Sequence, residues 1–379
     1  MYWTWTKKSD GQTYISWGKP RSINPDEFTD LYERFDIQIY QGETISAGDK
    51  VAYCMQGDST LGFGDSIWLI SYLRDVYRIK ARRRCNMHIF SSPDINRFCS
   101  NFLPISFNYR EEYLLKHEFD TFDHVLPAMY YWHEFDGADR SWLDNKSILE
   151  RLYDLVGIEY QGLPDFGEFT KEHILYPNED FYKRLGIHPN DKYIFLQWHS
   201  SGISKNLPPK TNIRIIKHLI RRYGLKVYII GRMHGVDQIE EIHGVVNLIN
   251  KTMAEDLITL AFNSEFIVAP DSAGIHLGEA YRIPAVGIMG TLPPVYIANK
   301  YKIPTFMYGS GDCPYKPCGI TTRLPMDKCP IKTNNYCNIF YDIDLDLLDK
   351  CIEKTHKNRD KYRKSEAINF YDSQNRPIN

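Results

Sequence analysis

Residues 269–280 read Ala269-Pro270-Asp271-Ser272-Ala273-Gly274-Ile275-His276-Leu277-Gly278-Glu279-Ala280, and 283–290 read Ile283-Pro284-Ala285-Val286-Gly287-Ile288-Met289-Gly290. The pattern predicts a buried strand over 265–269, a polar turn, a helix from about Ala273 and a second strand after Pro284. Asp271 and Ser272 fall where the strand ends and the helix begins. The first N–H groups of a helix lack an intrahelical acceptor and carry partial positive charge, which suits a phosphate or carboxylate. In an open α/β sheet, ligands bind at the carboxyl ends of strands. The stretch points to a nucleotide or phosphosugar pocket. Taken alone it also fits an ordinary helix with Asp271 as its cap.

Working outward, strands are predicted at 193–198, 226–231, 245–249 and 266–269. Helices at 212–223, near Asp237 and at 253–262 fall between them. Strands alternating with helices of this length predict a parallel, doubly wound sheet. Upstream, a strand at 51–55 runs through the glycine-rich loop Gly57-Asp58-Ser59-Thr60-Leu61-Gly62-Phe63-Gly64-Asp65 into a helix over 66–79 and a strand at 87–90. That is a second βαβ beginning. Residues 1–45 hold strand-like pieces at 13–17 and 36–40 and read as a β-rich extension. Residues 160–190, rich in Pro, Gly and charge, read as a linker. The expected divisions are 1–45, 46–175 and 176–357, with 358–379 as a polar tail that frays. Two such α/β domains facing one cleft would bring both sets of strand ends to one pocket.

Composition narrows the function classes. The chain has 379 residues, 43% hydrophobic and 14% aromatic, enough for two or three domains. No apolar run approaches the roughly 18 residues of a membrane span. The opening Met1-Tyr2-Trp3-Thr4-Trp5 has no apolar core of a signal peptide, so a cytoplasmic protein is expected. A net charge of −2 gives no global field for nucleic acid. The local basic run Arg78-Ile79-Lys80-Ala81-Arg82-Arg83-Arg84 reads as a solvated helix end, with a polyanion contact as the alternative.

Four of the eight cysteines, Cys54, Cys85, Cys99 and Cys351, are scattered and read as buried thiols. The other four, Cys313, Cys318, Cys329 and Cys337, lie within one stretch punctuated by Pro314, Pro317, Gly319, Pro325 and Pro330. A loop with no helix or strand to hold it would gain its core from a tetrathiolate metal, and four sulfurs suit tetrahedral zinc or iron. Free thiols or disulfides are the alternatives. The Asp342-Ile343-Asp344-Leu345-Asp346 run opens a C-terminal helix and reads as capping rather than a metal motif.

Five pieces, in order, resemble the heptosyltransferase-like glycosyltransferases of family 9. They are Gly64-Asp65 at the head of the first helix; His199-Ser200-Ser201-Gly202-Ile203-Ser204-Lys205-Asn206-Leu207-Pro208; Val227-Tyr228-Ile229-Ile230-Gly231; Lys251-Thr252-Met253-Ala254-Glu255-Asp256-Leu257; and the turn from Asp271 to His276 with Pro284 and Gly290 behind it. They cover about residues 50–300. The resemblance implies the GT-B architecture: two Rossmann-like domains facing a cleft, here with an N-terminal β-rich extension and a four-cysteine finger over 313–337. It implies an inverting enzyme that moves a heptose or hexose from a nucleotide-diphosphate sugar, ADP-heptose foremost, to a hydroxyl of a protein or saccharide.

Under that resemblance Asp65 is the general base, with Asp58 a rival because the loop before it is longer than the family's turn. Lys205 and the amides of Ser272, Ala273 and Gly274 hold the departing diphosphate without a catalytic divalent metal, a task that suits a point cation and preorganised dipoles. Asp271, His276, Gly231, Thr252 and Arg232 border the donor; Gln197 and Met233 are candidates beside the nucleobase. A similar four-cysteine finger holds iron in the protein-modifying autotransporter branch, which makes a structural metal the expectation. A homo-oligomer is compatible with these features. Two other readings compete: a DNA-modifying glycosyltransferase, supported only by the basic run, and a non-catalytic nucleotide-sugar-binding or assembly protein.

Overall fold

The computed structural model describes residues 2–7, 13–17, 28–35, 48–54, 63–80, 86–90, 108–110, 114–115, 121–127, 147, 149–150, 153, 158–200, 205–231, 242–314, 329 and 336–369, and in the first 127 largely the main chain. The chain divides into two compact units, one of residues 1–61 and 68–161, the other of 62–67 and 162–379.

In the first unit, β1 (Tyr2–Lys7), β2 (Thr13–Trp17) and β3 (Phe28–Phe35) are antiparallel. The strand-like piece at 13–17 is therefore a strand, and β1 ahead of it was not foreseen. The strand expected at 36–40 lies outside the described residues, and β3 precedes it. β4 (Lys50–Cys54) leads to α1 (Phe63–Lys80) and β5 (Asn86–Phe90). After β6 (Asn108–Arg110), β7 (Leu114–Leu115) and β8 (His124–Pro127), a parallel sheet is complete in the order β6-β5-β4-β8. β7 instead pairs with β2, so the N-terminal sheet takes its last strand from residues over a hundred positions from its first.

Residues 67–73 of α1 are buried without a gap, as expected of a helix enclosed on all sides. Ser71 and Asp75 share the Tyr153 hydroxyl at 3.2 and 2.7 Å. The helix starts three residues ahead of the expected Ser66, which puts Asp65 inside its first turn. Asp65 is thus not the residue that caps the helix.

The second unit holds the six-stranded sheet. Its elements are α2 (Glu172–Leu175), α3 (Glu179–Leu185), β9 (Tyr193–Gln197), α4 (Pro209–Tyr223), β10 (Lys226–Ile230), β11 (Val245–Asn247), α5 (Ala254–Phe262), β12 (Phe266–Pro270), α6 (Ala273–Ala280), β13 (Ala285–Met289), α7 (Pro294–Ala298), β14 (Thr305–Tyr308) and α8 (Leu345–Asn369). The order is β11-β10-β9-β12-β13-β14, all parallel. The chain leaves β9 toward one edge and returns to β12 toward the other, so the topological switch lies between these two strands. β12 and β13 are buried at every position, which explains why they read as continuous apolar runs rather than alternating ones.

On the sheet, Tyr193 and Tyr228 stack face to face, centroids 4.0 Å apart at 6°. Their hydroxyls donate to Leu260 O at 2.8 Å and Asp191 Oδ2 at 2.6 Å.

Two expectations are corrected. Residues 358–369 of the expected tail are helix, while 370–379 lie outside the described residues. Tyr362 accepts from buried Arg282 at 3.2 Å and lies under its guanidinium. The expected linker is also structured. Phe166 packs against Phe169 and Tyr281, and Arg184 makes a two-pronged contact with Asp256 at 3.0 and 2.6 Å. The acidic run does cap α8: Asp344 Oδ1 accepts from Leu347 N–H at 2.9 Å, while Asp342 takes Arg214 at 2.8 Å. Among the described residues no helix is long and apolar enough to cross a membrane.

Candidate functional site

The carboxyl ends of β10, β9, β12 and β13 carry, in spatial order, Gly231, His199, Asp271 and Thr291. Lys205, on the loop between β9 and α4, pairs with Asp271 at 2.8 Å, with side chains only 14% and 7% exposed. Two sequence candidates 66 positions apart are therefore one ion pair. Opposite charges so far from water are tolerable because each compensates the other. Lys205 is a cation already drawn to the head of α6. Asp271 is not that helix's cap.

Ser272 occupies the cap position in extended backbone, but its hydroxyl donates to Pro270 O at 3.0 Å and leaves the helix amides alone. The Gly274 amide donates to Gln197 Oε1 at 2.8 Å. The same carboxamide donates to His199 O at 3.1 Å, which fixes its orientation. Gly274 itself has no space for a side chain, since a Cβ would stand 2.9 Å from Ala269 Cβ. So of the three residues expected to offer amides, Gly274 has its own engaged by the protein. Ala273, at the first helical position, keeps an N–H with no intrahelical acceptor. Gln197, a candidate beside the nucleobase, meets the helix head through its bond to the Gly274 amide.

His276, one turn on, is 3% exposed. Its Nδ1 is 2.7 Å from the Tyr301 hydroxyl. Burial pushes its pKa down to about 4; nearby Asp271 pulls upward and Lys205 downward. The imidazole is neutral near pH 7. Its other edge meets the first turn of α1, where a Cβ on Gly64 would stand 2.7 Å from Cδ2 and 3.3 Å from Ala273 Cα. The heads of α1 and α6 thus abut, and Asp65 is the next residue along α1. The Asp65 side chain and all of Asp58 lie outside the described residues.

Two further polar groups at these strand ends, and Tyr301 ahead of β14, were not among the expected site residues. Burial lowers His199 to about 4, and its Nε2 has no hydrogen-bond partner among the described residues. The Thr291 hydroxyl, in a residue 4% exposed, likewise has none among them. His199 and Thr291 are single polar residues just past apolar strands, and only that position could have flagged them; Tyr301, after a helix, carried no such signal. Gly231 lies beside His199, 3.4 Å from a Cβ placed there to His199 N. Thr252 is half-buried, but α5 is led by Met253, whose N–H donates to Asp256 at 2.7 Å. Arg232 and Met233 lie outside the described residues.

Where the chain enters and leaves the cysteine loop, Gly311 N–H donates to Ile339 O at 3.0 Å and Ser310 N–H to Asp342 O at 2.8 Å. Cys337 is buried in the core of the second unit, with Cys313 and Cys329 packed against that core, all three free of disulfides. Among the described residues no three ligand-type side chains stand close enough to hold a metal; Cys318 lies outside them.

No known family profile and no curated protein matches the sequence. Solved structures do. A glycosyl transferase family 9 protein from Veillonella parvula superposes with a TM-score of 0.54 at 14% identity, over 82% of this chain and 98% of that one. The E. coli ADP-heptose LPS heptosyltransferase II gives 0.52 at 13%, over 83% and 99%. TibC of enterotoxigenic E. coli, described as an iron-containing dodecameric glycosyltransferase, gives 0.56 at 13%, over 94% and 92%. The chain therefore has the fold of the family 9, heptosyltransferase-like glycosyltransferases.

Proposed function

We propose that the protein is an inverting glycosyltransferase that moves a sugar from a nucleotide-diphosphate donor, ADP-heptose first, to an acceptor hydroxyl. The observation that supports this reading is the close approach of Gly64, next to Asp65 in the first turn of α1, to His276 and Ala273 of α6, the helix that follows the Lys205–Asp271 pair. Asp65 takes the acceptor proton as its oxygen bonds to the anomeric carbon. The carbon–phosphate oxygen bond breaks, and its electron pair goes to the departing diphosphate. Lys205 and the open N-terminus of α6 stabilise that charge. Attack opposite the leaving group gives the opposite anomer. Support for the donor class comes from the shared fold, including a TibC structure described as a complex with ADP-D-β-D-heptose.

The test is mass spectrometry of candidate protein and saccharide acceptors after incubation with ADP-, UDP- and GDP-sugars. Asp65→Asn is expected to keep donor affinity and lose roughly 10²–10⁴ in turnover. No sugar release from any donor would favour a binding protein that kept the fold. Strict dependence on added magnesium or manganese would overturn the role given to Lys205 and α6.

A structural iron or zinc on Cys313, Cys318, Cys329 and Cys337 belongs to the same proposal. Its support is the spacing, the shared packing of three of the thiols, which form no disulfide, and the iron described for TibC. Elemental analysis of the purified chain with neither metal present would remove it.

A further inference from the structure

Two contacts of the His276 ring bear on the head of α1. The Tyr301 hydroxyl meets Nδ1 at 2.7 Å, with the two rings edge to face at 5.8 Å and 90°. The far edge, with Cδ2 and Nε2, faces Gly64 so closely that a Cβ there would stand 2.7 and 3.3 Å from those atoms. Glycine at 64 lets the helix backbone come to rest on the imidazole. Asp65 is the next residue on that turn.

We propose that Tyr301 and His276 form a positioning pair: the phenol fixes the imidazole, and the imidazole edge is the seat that sets where the first turn of α1, and with it Asp65, stands. The proposal rests on the reading of Asp65 as base. It gives Tyr301, 25 residues from His276, a part in the reaction through another residue.

The seat works as a neutral ring. Lys205 and Asp271 act on His276 from the β9–α4 loop and the end of β12, and Tyr301 from the segment between α7 and β14. A protonated imidazole would add a second cation beside Lys205. Burial holds the ring neutral down to about pH 4.

The test uses the full chain, with ADP for affinity, ADP release from ADP-heptose for turnover, and hydrogen–deuterium exchange over residues 62–67. Tyr301→Phe keeps the ring and removes the hydroxyl. It is expected to speed exchange over 62–67 and to lower turnover about 10²-fold, the scale for a base displaced by roughly 1 Å, with ADP affinity held within a factor of ~2. Gly64→Ala, which forces α1 off the ring with Tyr301 intact, is expected to give the same split. Unchanged exchange and turnover in Tyr301→Phe, while Asp65→Asn is inactive, would overturn the pair. Full turnover in Asp65→Asn would overturn the base assignment instead, and exchange over 62–67 would still decide whether the pair seats the helix.

Discussion

At the scale of single residues, the Lys205–Asp271 pair shows how little of a site a linear reading can join. Each residue was recognisable alone, by a strand end or a loop before a helix. Their contact depends on β9 and β12 being neighbours in the sheet. The pair also makes a stability prediction. Removing one member of an ion pair this far from water strands the other charge, at a cost of about 3–5 kcal/mol. Lys205→Ala should therefore lower the denaturation midpoint strongly. Lys205→Ala with Asp271→Asn should recover much of it while nucleotide-sugar affinity stays lost. Calorimetry beside a binding titration separates the two effects. If the double variant is no more stable than the single one, the pair is not the source.

His276 predicts a pH dependence with a definite sign. Its pKa lies at about 4 in the fold, against an ordinary value of 6.5. Between those values the unfolded chain binds a proton that the folded chain refuses. This contribution to stability is complete above pH 6.5 and is lost as pH falls toward 4, on the order of 3 kcal/mol in all. Half-buried His199 acts in the same sense. Chemical denaturation from pH 7 to pH 4 should show the slope, and His276→Gln should flatten it.

At the scale of elements, the long apolar strands β9, β10, β12 and β13 were legible because burial on both faces leaves nothing but apolar residues. Helix starts were less legible. α1 begins at Phe63 rather than at a polar cap, and α5 begins after an exposed methionine. α8 was hidden by composition. Its charged surface masks a narrow stripe of Leu348, Cys351, Ile352 and Thr355 that packs inward.

Thr355 shows what that stripe does. Its hydroxyl accepts from Ala285 N–H at 3.0 Å and donates to Ile303 O at 2.7 Å. It thereby stitches α8 to the start of β13 and to the approach to β14. Thr355→Val keeps the shape and leaves a buried amide unpaired, so it should cost about 1–3 kcal/mol. A thermal midpoint equal to that of the parent protein would show that α8 is docked by its apolar contacts alone.

At the scale of the whole molecule, the order of alternating elements was enough to expect two α/β units. The candidate site was only partly legible. A strand end flagged Asp271, and a loop ahead of a helix flagged Lys205. That the α1 head groups with the second unit comes from tertiary packing, which no periodicity carries.

The stacked tyrosines of the central sheet have an optical consequence. Burial is the main cause that raises the phenols of Tyr193, Tyr228 and Tyr281 far above the ordinary 10.0. Such groups do not ionise while the sheet is closed. In an alkaline titration followed at the phenolate absorbance band, the exposed tyrosines should ionise early and reversibly. A second, cooperative rise should come only when the parallel sheet opens, so phenolate colour becomes a clock for the unfolding of the second unit. Replacing Tyr228 with Phe should shrink that late step without moving the early one.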